Sequence, residues 1–269
     1  GLLELRQEIC NLQKRSNNLD YDAKTDCLVT VGVSEALDIA LRAILSPGDE
    51  VLIPEPCYVS YTACTTMAGG VPVPVPTKIE NDFRVTPADL EPHVTEKTRA
   101  ILIGYPNNPT GTILTRKEME DLADFAVKHD LIVMSDEIYG DLTYGGEKHI
   151  CFASLPGMQE RTILFNGFSK AYAMTGWRIG YALANKAIIS AMTKIHQYTM
   201  LCAPITAQIA AVEALRHGEK YMKKMVSEYD KRRRLIYEGL QKAGLSCFEP
   251  KGAFYIFPDI RSTGLTSEE

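Results

Sequence analysis

The feature that most constrains the fold is a regular alternation of short apolar runs with amphipathic helical segments between residues 28 and 183. Such runs, rich in Val, Ile and Leu, are typical of buried strands. The predicted strands are residues 28–31, 50–54, 71–75, 99–104, 131–134, 161–166 and 178–183. Strands that alternate with helices pair in parallel and are covered on both faces. The sequence therefore predicts an α/β fold with a three-layer, mainly parallel sheet. Alternate prolines place run 71–75 at its edge.

Polar and aromatic side chains stand where these strands end, at Ser34, Tyr58, Asn108, Asp136 and Lys170. Taken singly, each has a structural explanation. Ser34 is a helix N-cap, Tyr58 a packing aromatic and Asn108 a turn residue. Asp136 either holds a loop or meets a cationic ligand group. Because the carboxyl ends of parallel strands share one edge, where open α/β folds bind ligands, the set predicts one binding site.

A second basic residue follows the last of these side chains. Lys170 and Arg178 bracket a glycine-bearing turn. An amine nucleophile beside an anion-binding guanidinium suits a cofactor that carries both an aldehyde and a phosphate. The alternative is a pair of surface cations next to a turn.

Charge and motif content exclude several other classes of protein. The net charge of -5 gives no reason to expect nucleic acid or an anionic membrane as a partner. The chain has neither the glycine fingerprint of a dinucleotide site nor a P-loop. Its seven cysteines are scattered and never spaced Cys-x-x-Cys, and its five histidines lack ligand spacing. We therefore expect reduced thiols in a cytoplasmic protein, and no metal site.

Five motifs occur in a fixed order. They are Gly-Val-Ser-Glu-Ala-Leu at 32–37, Pro-Gly-Asp-Glu-Val at 47–51, Asn-Asn-Pro-Thr-Gly at 107–111, Ser-Asp-Glu-Ile-Tyr at 135–139, and Ser-Lys at 169–170 through Trp-Arg at 177–178. In these motifs the chain resembles the class I/II aminotransferases of fold-type I, which depend on pyridoxal 5'-phosphate. It most resembles their bacterial and archaeal aspartate/aromatic aminotransferase branch.

The resemblance implies an activity and an assembly. An amino group would pass from an L-amino acid, such as aspartate or an aromatic one, to a 2-oxo acid by a ping-pong mechanism. The cofactor would be pyridoxal 5'-phosphate. A homodimer is expected, because the sites of this family are completed across the subunit boundary.

The resemblance also assigns residues to the cofactor's ring. Lys170 would form the Schiff base with its aldehyde and then move the substrate's α-proton. Asp136 would pair with the ring nitrogen and keep it protonated. Tyr139 and Asn108 would hydrogen-bond the phenolic oxygen, and Tyr58 would stack on the ring face.

A second set is assigned to the phosphate. Arg178 would grip it as a planar donor fork. The backbone of Val33 and Ser34, with the Ser34 hydroxyl, would cradle it at a helix N-terminus. The family often carries a hydroxyl where this chain has Gly167, so Ser169 is the hydroxyl expected nearby.

The resemblance further predicts a division into two domains. Residues 1–217 would form the large cofactor-binding domain, and residues 218–269 a linking helix and the start of a small C-terminal α/β domain, with a strand at 250–257. We expect the chain to be a piece of a longer protein, because residues 1–9 begin inside a helical pattern. The family's arginine for the substrate carboxylate would lie beyond residue 269.

Two other activities fit the same residues. A β-elimination lyase or a cyclase of this fold shares the lysine, aspartate and arginine. An aminotransferase-like sensor domain, fused to a DNA-binding domain, would keep the fold without catalysis.

Overall fold

The centre of the structure is a seven-stranded sheet, seen in a computed structural model that describes residues 1–267. Its strands are β1 (Cys27–Thr30), β2 (Glu50–Glu55), β3 (Val71–Pro76), β4 (Thr98–Gly104), β5 (Ile132–Asp136), β6 (Thr162–Gly167) and β7 (Gly180–Leu183). Their spatial order is β1-β7-β6-β5-β4-β2-β3. Residues 268–269, the last two of the predicted small domain, lie outside the described residues.

Strand directions follow from the connections. Strands β3, β2, β4, β5 and β6 pair in parallel, whereas β7 is antiparallel to both β6 and β1. A parallel neighbour needs a long crossover, usually a helix. Between β6 and β7 the chain forms just a short 3-10 helix, Thr175–Trp177, so it turns back on itself. The predicted mainly parallel sheet is confirmed, and β3, with its alternate prolines, lies at its edge as predicted.

Eight α-helices accompany the sheet within the described residues. They are α1 (Leu3–Asn17), α2 (Val33–Ile44), α3 (Ser60–Met67), α4 (Pro87–Leu90), α5 (Arg116–Lys128), α6 (Lys186–Thr199), α7 (Ile205–His217) and α8 (Glu219–Lys242). The other 3-10 helices of residues 1–267 are Ile79–Asn81, Glu91–His93, Phe152–Ser154 and Arg261–Thr263. No helix in this range is long and apolar enough to cross a membrane.

Alternation along the strands separates two apolar layers. Leu28 and Phe165 pack with α2, α3 and α6 on one face of the sheet. Their chain neighbours Val29 and Leu164 pack with α1 and α7 on the other face, where α5 covers the remaining strands. Burying a side chain such as Phe165 contributes about 2–3 kcal/mol. With both faces covered, the carboxyl edge of the parallel strands is left for a ligand.

The C-terminal region departs from the sequence prediction. Helix α8 buries one of its described side chains, Arg233. The prediction of a strand at 250–257 is wrong, because these residues are irregular apart from a β-bridge between Gly252 and Thr143. A strand needs a neighbour for its N–H and C=O groups, and in the described chain this segment meets loops instead.

Candidate active site

A cavity of about 250 Å³ opens at the carboxyl edge of the sheet. All nine residues that the sequence suggested for the site line it: Val33, Ser34, Tyr58, Asn108, Asp136, Tyr139, Ser169, Lys170 and Arg178. The structure therefore brings them together, whereas the role of each stays a prediction. Seven further residues line the cavity that the sequence did not suggest for the site: Leu37, Tyr61, Gly104, Pro106, Ile138, Thr175 and Tyr255.

One end of the cavity is built to hold an anion. Helix α2 begins at Val33, and its N-cap is Gly32. The prediction of Ser34 as the N-cap is therefore wrong, because Ser34 lies in the first turn of the helix. Gly32 has φ +80°, and a Cβ on it would come within 2.6 Å of the Arg178 Nη2 atom. Glycine therefore lets the guanidinium approach the start of the helix, where N–H groups lack partners within the helix. A helix N-terminus beside a guanidinium is a phosphate-binding arrangement.

The turn into α2 is braced from behind by a buried contact between a glutamate and a histidine. One oxygen of Glu35 accepts a hydrogen bond from the Val31 N–H at 2.5 Å, and the other lies 2.6 Å from His196 Nδ1. His196 is 4% exposed and belongs to α6. This contact fixes the loop that carries Gly32 against the neighbouring helix.

A buried carboxylate forms the floor of the cavity. Asp136 is 7% exposed; its Oδ2 accepts a hydrogen bond from the Tyr61 hydroxyl at 2.9 Å, and its Oδ1 accepts one from the Ile138 N–H at 3.2 Å. Burial raises the pKa of Asp136 to about 6, although both hydrogen bonds oppose the rise. A carboxylate that is charged at pH 7 in so dry a place is stabilised by a cationic partner.

Tyr61 reaches Asp136 because β4 ends in glycine. A Cβ on Gly104 would lie 2.3 Å from the Tyr61 hydroxyl oxygen. Burial and the neighbouring Asp136 raise the pKa of Tyr61 well above its usual range, so this phenol stays a hydrogen-bond donor. The Tyr58 ring meets the Tyr61 ring edge-on at 5.7 Å.

The amine stands opposite an aromatic wall. Lys170 Nζ lies 5.6 Å from the centre of the Tyr139 ring and 5.4 Å from that of Phe254. The Tyr139 hydroxyl is 2.6 Å from the Tyr255 hydroxyl. Within the described chain the Lys170 ammonium has no hydrogen bond or salt bridge, so the amine is available to a ligand.

The carboxylate next to Asp136 has a different task. Glu137 is 2% exposed and accepts hydrogen bonds from the Ser135 hydroxyl at 3.0 Å and the Phe152 N–H at 2.9 Å. Its second oxygen lies 2.6 Å from His149 Nε2. Glu137 therefore ties the loop after β5 in place and keeps Asp136 and Tyr139 aimed at the cavity.

Asn108 lies in a turn held by its neighbour. The Asn107 side chain accepts a hydrogen bond from the Thr110 N–H at 3.1 Å and donates one to the Gly104 carbonyl at 3.3 Å. The Gly111 N–H closes the turn on the Asn107 carbonyl at 2.9 Å. Asn107 thus serves the turn, while Asn108 faces the cavity.

The combined donor set fits pyridoxal phosphate. A phosphate fits the Gly32 cradle beside Arg178, an aldehyde fits the Lys170 amine, and a protonated ring nitrogen fits Asp136. Among residues 1–267, no group of three or more His, Cys, Asp or Glu side chains is placed to hold a metal ion. The fold and the site thus define a fold-type I protein that binds pyridoxal phosphate.

Comparison with known proteins gives the family. The profile of the family described as aminotransferase class I and II matches residues 1–269. The aspartate aminotransferase of Pyrococcus abyssi is 49% identical over 271 residues, which cover 100% of this chain and 70% of that protein. The aromatic-amino-acid aminotransferase 2 of Thermococcus litoralis is 46% identical with the same coverage. A crystal structure of the aromatic aminotransferase from Pyrococcus horikoshii, 48% identical, superimposes with a TM-score of 0.98, covering 100% of this chain and 72% of that one.

The chain belongs to the class I and II aminotransferases and is a pyridoxal-phosphate-dependent enzyme. The predicted family, fold class, cofactor and enzyme class are therefore confirmed.

Proposed function

We propose that the chain moves an amino group from an L-amino acid to a 2-oxo acid, with Lys170 and Asp136 at the centre of the reaction. When bound, pyridoxal phosphate supplies an aldehyde for amines and a ring that accepts the electron pair released at the substrate's α-carbon. Lys170 would hold the cofactor's aldehyde through Nζ, and once the substrate's own amine has displaced Nζ from that carbon, the freed amine would carry the α-proton. Asp136 holds a proton on the ring nitrogen. Tyr139 and Asn108 donate to the phenolic oxygen, and Tyr58 covers the ring face.

The phosphate would be held by Arg178 and the start of α2. Arg178 contributes its guanidinium, Val33 and Ser34 the free N–H groups of the first turn of α2, and Ser34 and Ser169 their hydroxyls. The observation that carries the whole assignment is the junction of β5 and β6. These neighbouring parallel strands deliver the carboxylate of Asp136 and the amine of Lys170 to the same cavity.

The names of the relatives support a substrate class. Aspartate and aromatic aminotransferases stand at similar identity to this chain, 49% and 46%. We therefore propose aspartate or an aromatic amino acid as the amino donor, with the matching 2-oxo acid as acceptor.

A half-reaction tests this proposal. Mixed with the amino acid alone, the loaded enzyme is expected to release one equivalent of 2-oxo acid per site and then stop. Adding an acceptor oxo acid restores continuous turnover. The measurement is product released over time, repeated with aspartate, phenylalanine and tyrosine. Continuous pyruvate and ammonia from a β-substituted amino acid, without acceptor, would contradict an aminotransferase and favour the lyase.

We further propose that the enzyme is a homodimer. Supporting this, apolar side chains are exposed together where α6 passes into α7: Tyr198, Met200, Leu201, Ile205 and Ile209. Leu201 is 79% exposed. Clustered exposed apolar residues are typical of protein interfaces, whereas isolated ones are ordinary surface. A second copy of the chain is the proposed occupant.

Replacing Leu201 by aspartate is expected to separate the subunits. A buried unpaired charge costs at least about 3 kcal/mol, so the dimer dissociation constant should rise by about 100-fold or more. Leu201 has φ +64°, a conformation that Asp adopts more readily than Leu, so the monomer should keep its fold. Sedimentation velocity measures the result, with exposed Val127→Asp on α5 as control. An L201D protein that dimerises like the wild type contradicts this interface.

Two further proposals concern organisation and location. We propose residues 1–217 as the large domain and 218–269 as a linking helix and the start of a small domain, supported by the largely exposed α8 at the boundary. We propose a cytoplasmic location, supported by seven unpaired cysteines, as expected of a reducing compartment.

A further inference from the structure

A segment far along the chain closes one side of the cavity. Residues 250–255, here called the covering segment, lie against the loops that follow β4 and β5. The N–H groups of Lys251 and Gly252 donate to the Gly111 carbonyl at 3.1 and 2.9 Å, and the Ala253 N–H donates to the Leu142 carbonyl at 2.9 Å. These bonds fix the segment to two loops of the site.

The approach is closer than a side chain permits. A Cβ on Gly252 would lie 2.4 Å from the Pro106 Cβ atom. The Tyr144 hydroxyl adds a hydrogen bond to the Ala253 carbonyl. These contacts hold the covering segment against the site, and with it the two aromatic residues that follow Ala253.

Those aromatic residues meet Tyr139. The Tyr139 ring stands edge-on to Phe254, with ring centres 5.2 Å apart, and to Tyr255, at 5.6 Å. The hydroxyl oxygens of Tyr139 and Tyr255 are 2.6 Å apart, and Tyr255 also lines the cavity.

The number of hydroxyl protons decides which of the two tyrosines is the donor in this contact. Each phenol has one O–H donor, and either hydroxyl can donate to the other. If Tyr139 gives its proton to the phenolic oxygen of the cofactor, as the proposed function has it, its own oxygen can still accept. Tyr255 is then the donor to Tyr139. If Tyr139 donates to the cofactor, this is the direction in which the hydrogen bond between the two tyrosines can form.

We propose that Tyr255 is a positioning residue, which donates to Tyr139 and thereby commits the Tyr139 proton to the cofactor's phenolic oxygen. The inference rests on the proposed function. A donor to that oxygen stabilises its anionic form, and a hydrogen bond accepted by a phenol makes the phenol a better donor. Tyr255 therefore lowers the proton affinity of the cofactor bound at Lys170.

Of the polar groups around Tyr139, Tyr255 is the one placed to donate a hydrogen bond to its hydroxyl oxygen. Asp136, at the end of β5, and Tyr58, in the loop after β2, lie near Tyr139, and Lys170 faces its ring. Burial raises the pKa of Tyr139 far above its usual value, so Tyr139 keeps its proton. Within the described residues, Tyr255 is the hydroxyl that contacts it.

The test is the pH midpoint of the visible absorption band of protein loaded with pyridoxal phosphate. Tyr255→Phe is expected to raise this midpoint by about 0.5 to 1 pH unit, the effect of one hydrogen bond. In a Tyr139→Phe background the same substitution should give no further shift, because the effect passes through Tyr139. Tyr144→Phe is the matched control: it removes another hydroxyl that holds the covering segment, and should lower the unfolding temperature without moving the midpoint.

The outcomes separate this inference from the proposed function. An unchanged midpoint in Y255F, an equal shift in both backgrounds, or an equal shift in Y144F would overturn the role of Tyr255. A wild-type protein without a pH-dependent band, or with the cofactor attached elsewhere than Lys170, would instead contradict the proposed function.

Discussion

Replacing Lys170 by alanine is expected to reduce amino transfer by at least about 10⁴-fold, because both covalent attachment of the cofactor and proton transfer depend on this amine. The fold should survive. The Lys170 side chain is half-buried, and its ammonium has no hydrogen-bond or salt-bridge partner in residues 1–267. Removing it therefore breaks no buried network, and the free energy of unfolding should change by less than about 1 kcal/mol. Lys170→Arg, which keeps the charge without the nucleophile, should be equally inactive.

Activity, unfolding and covalent labelling are measured together in this experiment. Borohydride treatment of the loaded wild type is expected to label the peptide that contains Lys170, and neither Lys170 variant should be labelled. Lys186→Ala, at the exposed start of α6, serves as control and should keep both label and activity. A label on another lysine, or turnover in K170A, would remove Lys170 from the centre of the reaction.

The sequence was informative wherever a local rule applies. Each apolar run predicted a strand, and the residue after each run was expected at one edge of the sheet, because parallel strands end together. This geometry alone placed Asp136 and Lys170 near each other. The direction of β7 required a further fact, namely that the link from β6 contains no crossover helix.

The sequence analysis missed site residues whose positions do not follow from strand ends or motifs. Tyr61 lies in the first turn of α3, three positions after Tyr58, and the two rings meet edge-on, so its place beside the cavity was within reach of sequence reasoning. Tyr255 offered no such indication. It meets Tyr139 across 116 residues, through a segment that the sequence analysis expected to be a strand. Long-range contacts of this kind depend on how loops pack, which periodicity does not describe.

Asp136→Asn is expected to stabilise the cofactor-free protein while removing most of its activity. Burial raises the pKa of Asp136 from 3.8 to about 6, which corresponds to about 3 kcal/mol. Between these values the folded chain binds the proton more tightly than the unfolded chain. The carboxylate therefore lowers stability as pH rises through this window, and its full cost is present at pH 7. Asparagine carries no such cost.

Urea unfolding over a range of pH measures the effect. The stability gap between D136N and wild type should shrink by about 2 kcal/mol from pH 7.5 to pH 4.5, where the wild-type carboxyl is protonated in the fold. Asp124→Asn, on the exposed side of α5, is the control for the loss of a carboxylate away from the cavity. A D136N gap that does not change with pH would contradict a costly buried charge.

The D136N substitution is also expected to lower activity. Losing a preorganised charge beside the ring nitrogen should lower kcat/KM by roughly 10²–10³-fold. The two candidate tasks of Asp136 predict opposite signs for stability. A carboxylate that holds its loop stabilises the fold, so its loss would lower stability and activity together. A carboxylate kept for a cationic ligand destabilises the empty protein, so the variant would be more stable and less active. A variant that is more stable and less active would show that Asp136 serves the cofactor. A variant that is both less stable and less active would show that Asp136 holds the loop.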